Sequence, residues 1–188
     1  MGWLDLCVPD EVVRSVEEID LDGLAARGFE GMLIDVDNTL LAHGTLEVEP
    51  ARLEWLRRAI ERFSVCLLSN SVSGTRVRRL RELLGVPGIS VWNWNRKPFA
   101  GGFRRALALT GTAPERTVMV GDQLLSDMLG GNRAGLHTIL VMPIHPTEFV
   151  VTRHVNRRLE RLIRERLAAR GITMPDARDH AEEDAADD

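Results

Sequence analysis

Five short apolar runs, separated by stretches of helical periodicity, constrain this chain more than anything else in it. The runs are GMLIDVD (31–37), SVCLLSN (64–70), ISVWN (89–93), TVMVGD (117–122) and HTILVMP (137–143). They are nearly continuous rather than alternating, as strands covered on both faces are. Between them, Leu53, Leu56, Ile60 and Phe63 recur at helical spacing after Pro50, and Val77, Leu80, Leu83 and Leu84 recur up to Gly85. Phe99, Phe103, Leu107 and Leu109 form a third helix ended near Gly111, and Leu125 to Ala134 a fourth ended at Gly135. Proline opening and glycine closing such segments are the usual helix punctuation. Strand and helix in alternation predict an α/β fold with a doubly wound parallel sheet.

The flanks are less regular. PDEVVRSVEEI predicts a short helix with Asp10 as its cap. Residues 151–170 are a long amphipathic pattern with Val151, Val155, Leu159, Leu162, Ile163 and Leu167 on one face. Seven arginines and two glutamates share that segment, and the acidic stretch after it predicts a disordered tail. Four regions follow: an N-terminal extension packing on the core (1–30), the core (31–150), a basic amphipathic helix (151–170) and an acidic tail (171–188).

The chain of 188 residues suffices for one domain, and its net charge of -4 gives no pull toward nucleic acid. Two cysteines, Cys7 and Cys66, make neither a disulfide framework nor a zinc site, so a cytoplasmic location is expected, with Cys66 a core residue. No signal peptide is visible, and no apolar run approaches the roughly 18 residues needed to span a bilayer.

In an open α/β sheet, ligands bind outside the carboxyl ends of the strands. The first run ends in Asp35 and Asp37, and the second in Ser69 and Asn70. The third leads to Lys97, and the fourth to Gly121 and Asp122, with Asp127 a turn further. Two carboxylates about 4 Å apart repel by roughly 4 kcal/mol at an effective dielectric of 20, so such a group needs a cation or shifted pKa values. Oxygen-only donors suit a hard ion such as Mg²⁺, and a lysine and a serine beside it suit phosphoryl oxygens. One aspartate can then attack phosphorus while the other handles the leaving-group proton.

These residues also resemble a family. DVDNTL, the SN after the second run, Lys97 and GDQLLSD are similar to the four motifs of the haloacid dehalogenase (HAD) superfamily of aspartate-nucleophile phosphatases, over about residues 31–143. GDQLLSDMLGGNRAGLHTILVMPI followed by TRHVNRRLER resembles its YqeG-type HAD-IIIA branch, which includes the phosphatidylglycerophosphate phosphatases. The resemblance implies that Asp35 is the nucleophile and Asp37 the general acid and base. It implies that Asp35, the backbone carbonyl of Asp37, and Asp122 hold Mg²⁺, with Asp127 orienting the metal shell or Lys97. Ser69, Lys97 and the backbone N–H of Asn70 would bind the phosphoryl oxygens. Which acid of the fourth motif touches the metal stays open.

Other readings weigh less. An Asp-x-Asp after a strand is often an Asx-turn. A calcium loop counted from Asp35 fails, since Leu40 and Leu46 stand where glycine and glutamate are required. Lys97 is the chain's only lysine, and a compact ammonium amid arginines marks a specific role. His43, His137, His145 and His154 read as loop or surface residues. Of Trp92 and Trp94, one reads as core and the other as rim, or Trp94 as a contact to substrate or lipid.

Only 31 residues separate Asp37 from Ser69, and 26 separate Asn70 from Lys97, so no large cap domain fits. An open site suits a phosphate on something large, and the branch implies phosphatidylglycerophosphate. The alternatives are a soluble phosphorylated metabolite or protein, and a non-catalytic binding module. The basic segment 151–170 either covers the sheet or docks peripherally on anionic membrane at the inner face.

Overall fold

The structure, a computed structural model, describes residues 4–42, 45–71, 74–91, 95–144, 165–169 and 171. Six strands, β1 (Glu11–Val13), β2 (Gly31–Ile34), β3 (Ser64–Ser69), β4 (Gly88–Ser90), β5 (Thr117–Gly121) and β6 (His137–Val141), form one sheet. Their order is β1-β6-β5-β2-β3-β4, and every neighbouring pair is parallel. All six carboxyl ends therefore share one edge. The chain passes from β2 to β3 on one side, while β5 lies on the other side of β2. The crevice expected for a ligand is thus outside the ends of β2 and β5.

Helices α1 (Leu21–Ala26), α2 (Pro50–Arg62), α3 (Thr75–Leu84), α4 (Ala100–Thr110) and α5 (Leu129–Ala134) cover both faces. Met32 and Ile34 of β2 point to α1, α2 and α3, where Leu24, Trp55, Leu56, Val77 and Leu80 are buried. Leu33, Cys66 and Met119 point the other way, onto Phe103 and Ala106 of α4. Every side chain of β2 and β5 is buried, which is why those runs read as continuous. Gly85, Gly111 and Gly135 end α3, α4 and α5 in the left-handed conformation that glycine adopts without strain.

Three local expectations are corrected. The segment read as a short helix capped by Asp10 is instead β1, followed by a single turn at Val16–Glu18. The Asp10 carboxylate caps nothing: it accepts the Thr138 N–H at 2.8 Å and ties the segment to β6. The N-terminal region thus supplies an edge strand of the sheet. Likewise, the helix expected over Leu125–Ala134 begins as a wide π-turn at Leu124–Met128 before α5. His137, read as a loop or surface residue, opens β6 with its ring half-buried against Phe29.

Residues 165–169 are helical, and Leu167 is fully buried with Cys7, Val8, Leu124, Met128 and Leu140. Arg166 Nε donates to Asp5 at 2.8 Å. The rest of the segment 151–170 and the tail beyond Gly171, with His43, Trp92, Trp94, His145 and His154, lie outside the described residues. Among the described residues no helix is long and apolar enough to cross a membrane.

Candidate active site

Pairing of β2 with β5 runs one residue past the strand, where the Asp35 N–H donates to Val120 at 2.9 Å. The chain then folds back. Leu40 and Leu41 donate to the Val36 carbonyl, the Asn38 N–H donates to Leu41 at 2.8 Å, and Asn38 takes a φ of 61°. Asparagine is one of the few residues with a side chain that visit this region readily. Because of this loop, the two aspartates part. Asp35 is 3% exposed, whereas the Asp37 side chain is 34% exposed and stands at the rim.

Lys97 is 2% exposed and lies between two acids. Its Nζ contacts Asp35 Oδ1, and it reaches Asp127 Oδ1 at 2.7 Å. Asn70 fixes the loop that carries it: the Asn70 side chain accepts the Lys97 N–H at 2.8 Å and donates to the Lys97 carbonyl at 3.1 Å. Ser69 Oγ donates to Asp37 Oδ2 at 2.7 Å and accepts the Ser71 N–H at 3.0 Å. Ser69 and Asn70, adjacent at the end of β3, therefore hold opposite sides of the site.

Asp122 follows β5 directly. Asp127 returns to the same place from the π-turn, where its carboxylate accepts the Gln123 N–H at 3.1 Å. Such turns recur at functional sites because they aim one side chain inward. Gly121 makes room for it, since a Cβ there would collide with the Asp127 carboxylate. Ligand oxygens of Asp35, Asp122 and Asp127 all lie within 4.8 Å of one another. Asp37 joins this site by position but turns its carboxylate to Ser69 and Arg76.

Three buried carboxylates and one ammonium leave an excess of negative charge. Burial pushes the Asp35 carboxyl up, Lys97 pulls it back, Asp127 and Asp37 push it further, and it comes to about 7. Burial and the charges of Asp35 and Asp127 hold the Asp122 carboxyl well above its usual range. Burial alone would lower Lys97, but Asp127 and Asp35 outweigh it and keep the ammonium protonated. Asp35 Oδ2 is buried with no hydrogen-bond partner, an arrangement that costs free energy unless something positive meets it. An all-oxygen donor set with an orphaned oxygen fits a hard divalent cation.

Three contributors were not legible as site residues: Arg76, whose Nη1 contacts Asp37 Oδ1, Ser126 and Thr39. Ser126 Oγ lies 3.5 Å from Asn70 Nδ2 and 3.4 Å from Asp127, and the Thr39 hydroxyl is 3.5 Å from Asp122. Thr39 sits inside the first motif and Ser126 inside the fourth, which was the available signal. Arg76 had none, being one of four arginines in α3.

A family model described as HAD-hydrolase-like matches residues 94–143. The probable phosphatase YqeG of Bacillus subtilis is 38% identical over 165 residues, covering 87% of this chain and 93% of that protein. The chloroplastic phosphatidylglycerophosphate phosphatase 1 of Chlamydomonas reinhardtii is 33% identical over 76% of this chain and 55% of its own length. The chloroplastic/mitochondrial phosphatidylglycerophosphate phosphatase 1 of Arabidopsis thaliana is 32% identical over 90% of this chain and 50% of its own.

Proposed function

The chain belongs to the HAD-like hydrolases and is one of their phosphatases, and from that premise we propose that it dephosphorylates phosphatidylglycerophosphate to phosphatidylglycerol through an aspartyl phosphate on Asp35. The observation that carries the mechanism is the state of Asp35: buried, one oxygen held by Lys97 and the other without a partner.

Asp35 attacks phosphorus, the bond from phosphorus to the glycerol oxygen breaks, and Asp37 gives that oxygen its proton. Asp37 then takes a proton from water as the water attacks the aspartyl phosphate, releasing inorganic phosphate and restoring Asp35. Lys97, Ser69 and the backbone N–H of Asn70 bind the phosphoryl oxygens. Asp35, Asp122 and the backbone carbonyl of Asp37 would hold Mg²⁺, which when bound offsets the charge of the carboxylates and of the phosphoryl group. Asp122 suits this role better than Asp127, whose oxygens already serve Lys97 and Gln123.

Two observations support a lipid substrate. Two relatives, of Chlamydomonas reinhardtii and Arabidopsis thaliana, are named for that activity. Only residues 35–49 join β2 to α2 and only 70–74 join β3 to α3, so neither connection carries a cap that would close over a small substrate. Peripheral contact with anionic lipid through the basic residues of 151–170 belongs to the same reading. Phosphate release with Mg²⁺ from phosphatidylglycerophosphate in mixed micelles, beside a panel of soluble monoesters, tests it. The lipid should be preferred by at least tenfold in kcat/KM. Preference for a soluble monoester would replace the lipid, and inactivity on every ester would leave a binding module.

A further inference from the structure

Arg76 stands where helix energetics disfavour it. It occupies the second position of α3, at the end where the macrodipole prefers acids. The residue before the helix, Gly74, offers no side-chain cap, and no acid lies in the first turn. Arg78, Arg79 and Arg81 of the same helix are exposed, yet Arg76 turns inward and is only 16% exposed. It meets Asp37 Oδ1 through Nη1, while Ser69 serves the other oxygen of that carboxylate. A guanidinium carries five N–H donors, and the rest of this fork has no partner among the described residues. The pair borders solvent at the rim, beside the carboxylate that must face the departing alcohol.

We propose that Arg76 is a specificity residue that binds a second anionic group, such as a phosphodiester, carried by the leaving alcohol a few atoms from the ester oxygen. The proposal rests on the assignment of Asp37 to the leaving-group side. An alcohol whose oxygen takes its proton from Asp37 lies against that carboxylate. A group two or three carbons further along then meets the guanidinium that Asp37 holds in place. Arginine suits that task, because its planar fork binds two phosphate oxygens at once. Neutral alcohols would leave the fork unused, so the site would select against them without any pocket for their carbon skeleton.

A matched pair of soluble esters tests this without a membrane: 3-hydroxypropyl phosphate, and the same ester with a methyl phosphodiester on its far oxygen. Wild-type enzyme with Mg²⁺ should favour the second in kcat/KM. Arg76→Gln should lower that ratio about 10- to 100-fold, the range expected for a charge-assisted hydrogen bond, chiefly through KM. Arg76→Lys, which keeps the charge and loses the fork, should fall between the two. Equal losses on both esters would make Arg76 a structural prop for Asp37 and overturn the proposal. If Arg76→Gln does not fold, an unchanged ratio in Arg76→Lys overturns it as well. A wild type inert toward both esters would sink the phosphatase mechanism and this inference with it, whereas an active wild type with no preference would sink this inference alone.

Discussion

The two edges of the sheet spend charge in opposite ways. At the carboxyl edge, Asp35, Lys97, Asp122 and Asp127 are all at most 7% exposed. At the amino edge, ion pairs are just as close but open to water: Arg116 reaches Glu30 at 2.7 Å with both side chains about half exposed. Glu11 at the start of β1 meets Arg27 and, at 2.7 Å, His137 at the start of β6. Exposed pairs are screened and contribute roughly 0–1 kcal/mol, whereas a buried charge stripped of its partner costs about 3–5 kcal/mol. Nothing in the fold requires the carboxyl edge to bury charge, because the same parallel strands are closed at the other edge with hydroxyls: Thr112 and Thr117 lie 2.8 Å apart, and Thr117 donates to Ala113. The buried charges are therefore not a demand of the architecture.

The sharpest way to break this contrast is Asp35→Asn. The substitution keeps the shape and removes the proposed nucleophile, so turnover of any monoester should fall about 10⁴-fold or more while urea unfolding shows a folded protein. Near wild-type turnover would remove Asp35 from its role. Lys97→Met comes next, leaving Asp35 and Asp127 buried without their ammonium. It should cost about 3–5 kcal/mol in urea unfolding at neutral pH, with the loss shrinking as the pH drops and carboxyls protonate.

Smaller is the effect of pH on the metal-free protein. The Asp35 carboxyl is raised to about 7 in the folded state, against roughly 3.9 in an unfolded chain. Between those values the folded form holds a proton that the unfolded form releases, so stability falls as pH rises through that window. Lys97 is shifted upward as well, and its contribution stays constant until far more alkaline pH. With a chelator present, Tm should be a few degrees higher at pH 5 than at pH 7.5, and Mg²⁺ should recover most of the difference at pH 7.5. A pH-independent Tm with chelator would mean that the carboxylate cluster carries no such strain.

Glu11→Gln should do least. Burial pushes the Glu11 carboxyl up, but Arg27 and His137 outweigh burial and hold it below its usual range. Breaking that contact should cost under about 1 kcal/mol and leave phosphatase turnover unchanged, as urea unfolding and phosphate release would show. A loss comparable to that of Lys97→Met would erase the distinction between the two edges.

Most of the carboxyl edge was legible because its residues end an apolar run or follow one within a few residues, and parallel strands bring all run ends to one place. What escaped depended on contacts between distant segments. Strand β1 is three half-buried residues long, and its valines fit a helix as well as a strand until Asp10 finds Thr138. The π-turn at Leu124–Met128 follows from the capture of the Gln123 N–H by Asp127, while Lys97, from another loop, holds the same carboxylate. Arg76 could not be told from its arginine neighbours, since only the position of Asp37 selects it.

The strand order also has a consequence for how the molecule is made. Among the described residues β1 pairs only with β6, through contacts such as Asp10 to Thr138 that span 128 residues. Lys97 and Asp35 are 62 residues apart, and Asp122 arrives later still. At roughly 5–20 residues per second, a nascent chain emerging from a ribosome would wait about ten seconds between exposing β1 and supplying β6. Through most of that interval Asp35 stays hydrated and costs nothing. The acids cannot be gathered until β5 has followed β2 and β3 out of the ribosome, so the most repulsive part of the molecule forms late, ahead only of the β1–β6 edge.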